Sequence, residues 1–173
     1  RLPPYVFAEV NRLKAECRAE GMDVIDFGMG NPDQDTPAPI VEKLVETVRK
    51  PRTHRYSASR GIAGLRRAQA GYYARRFGVE LDPETEVVAT LGSKEGLANL
   101  AQAITAPGDV VLTPNPSYPI HAFGFIIAGG ALRHVPALHG GRFDPERYLA
   151  EVEHAARHSA PTPTALVVSF PSN

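Results

Sequence analysis

The sequence predicts an α/β fold built on parallel strands joined by crossover helices, and three observations carry that reading. The short apolar runs "VVLTP" (110–114), "ALRHVPA" (131–137) and "ALVVSF" (165–170) are rich in β-branched residues and bounded by turn residues. Amphipathic stretches of helical length separate them, and such spacing favours parallel pairing over hairpins. The last run is also apolar on both faces, as a central parallel strand is.

The elements follow in order. Residues 6–20 have helical character and meet a stop signal at Gly21. "DVIDFG" is a short extended run leading into "GMGNPDQDTPAP", a loop rich in Gly, Asn, Asp and Pro. Ile40, Val41, Leu44, Val45 and Val48 share one helical face, and Pro51 closes that helix. "RTHRYSASRG" is polar without period, hence a loop. Ile62, Leu65, Ala68 and Tyr72 mark a further helix ending at Gly78. "EVVATLG" (86–92) is expected as a strand, with Leu97, Leu100, Ala101 and Ile104 on the helix behind it.

A Pro-Gly-Asp turn at 107–109 precedes "VVLTP"; a helix over roughly 119–128 then leads through Gly129-Gly130 to "ALRHVPA". Asp144 and Pro145 are an N-cap and a first helical residue for "DPERYLAEVEHAARH". Four strands joined by three helices amount to half of a doubly wound sheet. A final strand of central character needs neighbours on both sides, so the fold is expected to be truncated.

Composition narrows the function. Hydrophobic residues make up 43% and charged residues 22%, the range of a globular soluble chain. Lys+Arg and Asp+Glu both number 19, so no net charge draws the chain to nucleic acid or to an anionic membrane. Cys17 stands alone, which excludes an internal disulfide framework. No apolar run approaches a membrane span, and "RLPPYVFAEV" lacks the layout of a signal peptide. These features predict a cytoplasmic protein.

The strongest chemical signal is "TLGSKEGLANL" (90–100). A strand ending at Gly92, with Ser93 as a cap, would present free N–H groups at a helix start. Gly92 permits close approach of the backbone and Lys94 adds positive charge, so the turn suits a phosphate; an ordinary strand–turn–helix joint would look the same. "FGMGNPD" begins like a dinucleotide fingerprint but has Asp33 where the third Gly belongs. His154 and His158 are four apart, yet Ala155 replaces the Glu of a zincin and no further ligand lies nearby; no metal is expected. Arg66, Arg67, Arg75 and Arg76 read as a solvated helix face.

Three loops share a location. "GSKEG", "NPSYPIH" (115–121) and "PSN" (171–173) each follow the C-terminal end of an expected parallel strand, so they gather along one sheet edge. Together they offer an anion cradle, an aromatic face at Tyr118 and an amide at Asn173. That set suits a planar phosphorylated ring.

Through "RLPPYVF", "GMGNPD", "HRYSASRGIAGLRRA", "GSKEGLANL", "PNPSYPIH" and "FPSN", in order, the chain resembles the pyridoxal-phosphate-dependent class I/II aminotransferases of fold type I. Within them it is similar to the bacterial alanine (glutamate–pyruvate) aminotransferases, with diaminopimelate-pathway enzymes as relatives. The resemblance implies pyridoxal 5'-phosphate as cofactor, held by Gly92, Ser93 and Lys94 at the phosphate, by Tyr118 stacked on the ring and by Asn173 at the phenolic oxygen. It implies a substrate-carboxylate contact at Gly30, a reach from Tyr56 to the phosphate of the other subunit of a homodimer, and Tyr5 lying near the substrate.

It further implies an N-terminal arm with part of the small domain over 1–35 and the first part of the large cofactor-binding domain over 36–173. The family's Schiff-base lysine, its pyridine-pairing aspartate and its substrate-binding arginine have no counterpart here. Lys14, Lys43, Lys50 and Lys94 cannot take the lysine's role, so the chain alone is expected to be inactive. A diaminopimelate-pathway or broad-specificity aminotransferase, a lyase of the same fold, and a non-catalytic phosphate-binding module stay as alternatives.

Overall fold

The computed structural model describes residues 2–28, 30 and 32–170. The chain divides into two compact units, the first running through Tyr56 and the second from Ser57.

The first unit holds α1 (Val6–Ala19) and α2 (Ala38–Val48). α1 stops where the sequence predicts. The Gly21 and Met22 N–H groups close the last turn onto the Arg18 and Cys17 carbonyls, a geometry needing the left-handed φ of 82° at Gly21. The Lys14 ammonium then ties this helix to Asp26 at 2.8 Å in the extended run that follows. On α2, Glu46 lies between Lys50 and Lys43, whose ammonium groups hold its carboxyl down at about 2. Neither helix has a buried residue.

The second unit carries the core. Its elements are α3 (Ala63–Phe77), α4 (Ser93–Ile104), β1 (Val110–Asn115), α5 (Pro119–Ile127), β2 (Ala131–Pro136), β3 (Leu138–His139), β4 (Arg142–Phe143), α6 (Pro145–Arg157) and β5 (Ala165–Leu166). The main sheet has order β2-β1-β5, and both its pairings are parallel. β1 is the central strand and its side chains alternate between two buried layers. On one face Val111 packs with Ala101 of α4 and Phe125 of α5; on the other Leu112 packs with Val135, Tyr148 and Ala155. Thr113, fully buried, satisfies its hydroxyl on His134 Nδ1 at 3.0 Å, its register partner on β2. Burying each of these larger apolar side chains is worth about 1.5–3 kcal/mol.

Two expected strands differ from the sequence reading. Residues 86–92 form no ladder; the Ala89 N–H bonds the Arg60 carbonyl at 3.1 Å instead. A strand exists only with a ladder partner, and a single bond to the 60–61 loop does not make one.

The last strand is shorter than 165–170, and among the described residues it has a partner on one side only, as expected of a truncated sheet. Its backbone bonds reach the Val110 and Leu112 carbonyls, from the Thr164 and Val167 N–H groups. The next residue of β1 facing that side is Pro114, which has no N–H to donate.

Arg66 also departs from the solvated face expected of it. It is buried, paired with Glu84 at 3.0 Å, and donates to the Gly61 carbonyl at 3.2 Å and to the Pro83 carbonyl. A guanidinium with that many acceptors is stable out of water.

The short hairpin β3–β4 was not predicted. Gly140 and Gly141, at φ 59° and 79°, form its two-residue turn, the conformation Gly-Gly pairs favour between strands.

Candidate functional site

The site is built where two turns meet, the second of them the exit of a strand. At the first, the chain passes through Gly92 at φ 89° and ψ 161°, a conformation open in practice only to glycine, and enters α4. Ser93 is the first residue of the helix and not its cap; Gly92 holds the cap position and no side chain bonds the end. The turn is braced from behind. Glu95 Oε2 accepts from the Leu91 N–H at 2.6 Å, and the Thr90 hydroxyl donates to the Gly92 carbonyl at 3.0 Å. The first helical bond runs from Gly96 N–H to Gly92 at 3.2 Å. The N–H groups ahead of it point along the axis, where the helix dipole favours an anion.

At the second, β1 ends at Asn115 and α5 begins with Pro119, so Tyr118 is its cap residue. Pro119 fixes φ for the first turn, and the His121 N–H closes it onto the Tyr118 carbonyl at 3.0 Å. The Tyr118 ring meets the His121 ring edge-on at 6.0 Å, while Lys94 Nζ stands 5.2 Å from the Tyr118 centroid, a cation–π contact that links the two turns.

A cavity of about 420 Å³ opens between them, lined by Ser93, Lys94, Leu97, Tyr118, Ile120, His121 and Ser169. Ser169 follows β5, so residues past the C-terminal ends of β1 and β5 share one cavity with the start of α4. His121 Nδ1 is buried there without a hydrogen-bond partner among the described residues. A buried nitrogen with no partner is costly, and a ligand able to bond it would remove that cost.

The structure therefore brings Gly92, Ser93, Lys94 and Tyr118 together. Asn173 lies outside the described residues. Tyr5, Gly30 and Tyr56 belong to the first unit; Tyr56 is fully exposed, and a side chain at Gly30 would meet nothing within 4 Å. Sequence reasoning missed Ser169 and His121. The signal for His121 was present, since it stands three residues after Tyr118 at the start of a helix, where i and i+3 share a face.

His154 and His158 stack at 4.2 Å on α6. Among the described residues no three His, Cys, Asp or Glu side chains group as metal ligands, and no helix is long and apolar enough to cross a membrane.

Comparison with known proteins points the same way. The family described as aminotransferase class I and II matches residues 22–173. The chain is 66% identical to AatC of Rhizobium meliloti over all of its length and 42% of that protein's. It is 52% identical to the glutamate–pyruvate aminotransferase AlaC of Escherichia coli over all of its length and 41% of AlaC's. An LL-diaminopimelate aminotransferase of Desulforudis audaxviator is 45% identical over 99% of the chain and 43% of its own.

Among solved structures, an aspartate aminotransferase double mutant of Thermus thermophilus superposes with a TM-score of 0.84 at 34% identity, over 99% of this chain and 43% of that one. The chain thus spans about two fifths of the length of these relatives. It belongs to the class I and II aminotransferases.

Proposed function

We propose that this chain is the N-terminal part of a pyridoxal-phosphate-dependent aminotransferase that moves an amino group between an amino acid and a 2-oxo acid, with alanine and glutamate as the donors. The observation that carries the reading is the shared cavity: an uncapped helix start at Ser93 and Lys94 faces it together with the Tyr118 ring. The residues fit the group. Backbone N–H groups and Lys94 match a phosphate monoester, Tyr118 offers a face to an aromatic ring, and His121 Nδ1 is a polar atom in need of a partner. When bound, pyridoxal phosphate supplies an electron sink for bonds at the substrate α-carbon.

The remaining steps belong to protein groups. Gly92, Ser93 and Lys94 anchor, Tyr118 orients, and Asn173 bonds the phenolic oxygen and favours its anionic form. Gly30 contacts the substrate carboxylate. Tyr56 reaches the phosphate of the neighbouring subunit in a homodimer, which accounts for an aromatic ring left wholly in solvent in the single chain.

Lys14, Lys43 and Lys50 are held in ion pairs with carboxylates, and Lys94 belongs to the anion cradle. The lysine that would hold the cofactor is then supplied by the rest of a longer protein, and the chain alone is inactive. In that protein residues 1–35 form the arm and part of the small domain, and 36–173 open the large domain. Its compartment is the cytoplasm.

Diaminopimelate as donor is the second reading, supported by the 45% identity to such an enzyme; the 52% identity to AlaC supports alanine. Screening amino donors with the full-length protein decides between them. The cofactor assignment is tested by Ser93→Ala combined with Lys94→Ala. Removing hydrogen bonds to a charged group costs about 1.5–3 kcal/mol each. Pyridoxal phosphate affinity is expected to fall at least about 10-fold while the order of donors is kept. Unchanged cofactor occupancy would overturn the assignment.

A further inference from the structure

The wall of the cavity that carries Ser169 has weak backbone support. Past Val167, whose N–H bonds the Leu112 carbonyl at 2.9 Å, no backbone bond joins residues 168–170 to β1. What holds this stretch is a ring. Phe170 stacks on Phe143 with centroids 4.5 Å apart and planes 27° from parallel. It meets Tyr148 edge-on at 5.3 Å and 70°, and Phe143 and Tyr148 touch each other at 5.9 Å. Each partner is itself anchored. Phe143 pairs with Leu138 across the Gly140-Gly141 turn, and Tyr148 sits one turn into α6 with its N–H on the Asp144 carbonyl at 2.9 Å.

Successive residues of an extended chain point to opposite faces. A grip on Phe170 therefore fixes what Ser169 presents on the other side. We infer that Phe143 and Tyr148 are positioning residues for the cofactor pocket: by clamping Phe170 they hold Ser169 at the cavity wall. Filling the core is a poor account of the cluster. Tyr148 is buried, but Phe143 and Phe170 keep 42% and 38% of their surface in solvent, and neither belongs to a buried core cluster. Half-exposed rings stacked at the end of a strand contribute more to direction than to burial. The hairpin, otherwise without a role, becomes the arm that delivers Phe143.

The inference rests on the cofactor reading above, and its test separates the two. The full-length protein is prepared as apoenzyme and titrated with pyridoxal phosphate, comparing wild type with Phe143→Leu and Phe143→Tyr. In Phe143→Leu the dissociation constant is expected to rise about 3- to 10-fold, the worth of one aromatic contact. Phe143→Tyr keeps the ring and is expected to restore the wild-type dissociation constant.

Wild-type affinity in Phe143→Leu would overturn the inference, as would a defect that Phe143→Tyr fails to restore. If the Leu variant yields no folded apoenzyme, Phe143→Met is read against the same outcomes. Wild-type apoenzyme that binds no pyridoxal phosphate would overturn the functional reading, and this inference with it.

Discussion

The two units answer the same sequence pattern in opposite ways. In the first, the apolar stripe of α2 is in solvent, with Leu44 64% exposed and no residue of α1 or α2 buried. In the second, β1 carries four consecutive buried positions and Leu112 is 2% exposed. Hydrophobic periodicity reports which face of an element is apolar; it does not report what covers that face. The largest predicted effect follows. Leu112→Ala removes methylenes from a closed layer and should cost about 2–5 kcal/mol in denaturant unfolding. Leu44→Ala should cost less than about 0.5 kcal/mol. Comparable losses would show that the stripe on α2 is covered in solution, and the contrast between the units would fail.

One helix start of the second unit stands apart. α6 begins with a working cap, Asp144 Oδ1 accepting from the Arg147 N–H at 3.1 Å. α1 and α2 make no side-chain cap bond, and neither do α3, α4 and α5. Asp144→Ala is therefore expected to cost about 1 kcal/mol. The loss should appear in the cooperative transition of the second unit, because Tyr148 and Ala155 on that helix belong to its core. A variant that melts like the wild type would mean the helix is held by packing alone.

What could be read from the sequence, and what could not, divides along the line between local and non-local causes. The start of α6, the stop of α1 at Gly21 and the core of β1 are set by residues close in the chain, and the structure has them where the sequence predicts. The meeting of the turns at 92–94 and 115–118 was likewise legible, although only the second leaves a strand of the sheet. The strand expected at 86–92 was not, since Val87 and Val88 show β-propensity whether or not a partner lies alongside. The early end of β5 depends on Pro114, which belongs to a different strand. Burial of Arg66 needed Glu84 and the Pro83 carbonyl, both distant in the chain. The Gly140-Gly141 hairpin was local and legible, and it matters most through Phe143, whose partner Phe170 lies far along the chain.

The smallest effect separates the units by pH. In the first unit the Lys14 ammonium, together with the Gly28 N–H at 2.9 Å, lowers the Asp26 carboxyl below its ordinary 3.8. A carboxyl lowered in the folded state contributes stability that is present above its unfolded pKa and is lost as pH falls through the folded one. The link between α1 and the extended run after it should therefore hold at neutral pH and weaken only below about pH 4. The pair is partly exposed, so the effect is modest and screened by salt. Asp26→Asn is expected to flatten the acid limb of α1 protection in hydrogen exchange between about pH 4 and pH 2, leaving β1 amides in the second unit unchanged. If β1 protection falls in step with α1, the two units open together, and the division at Tyr56 does not describe their stability.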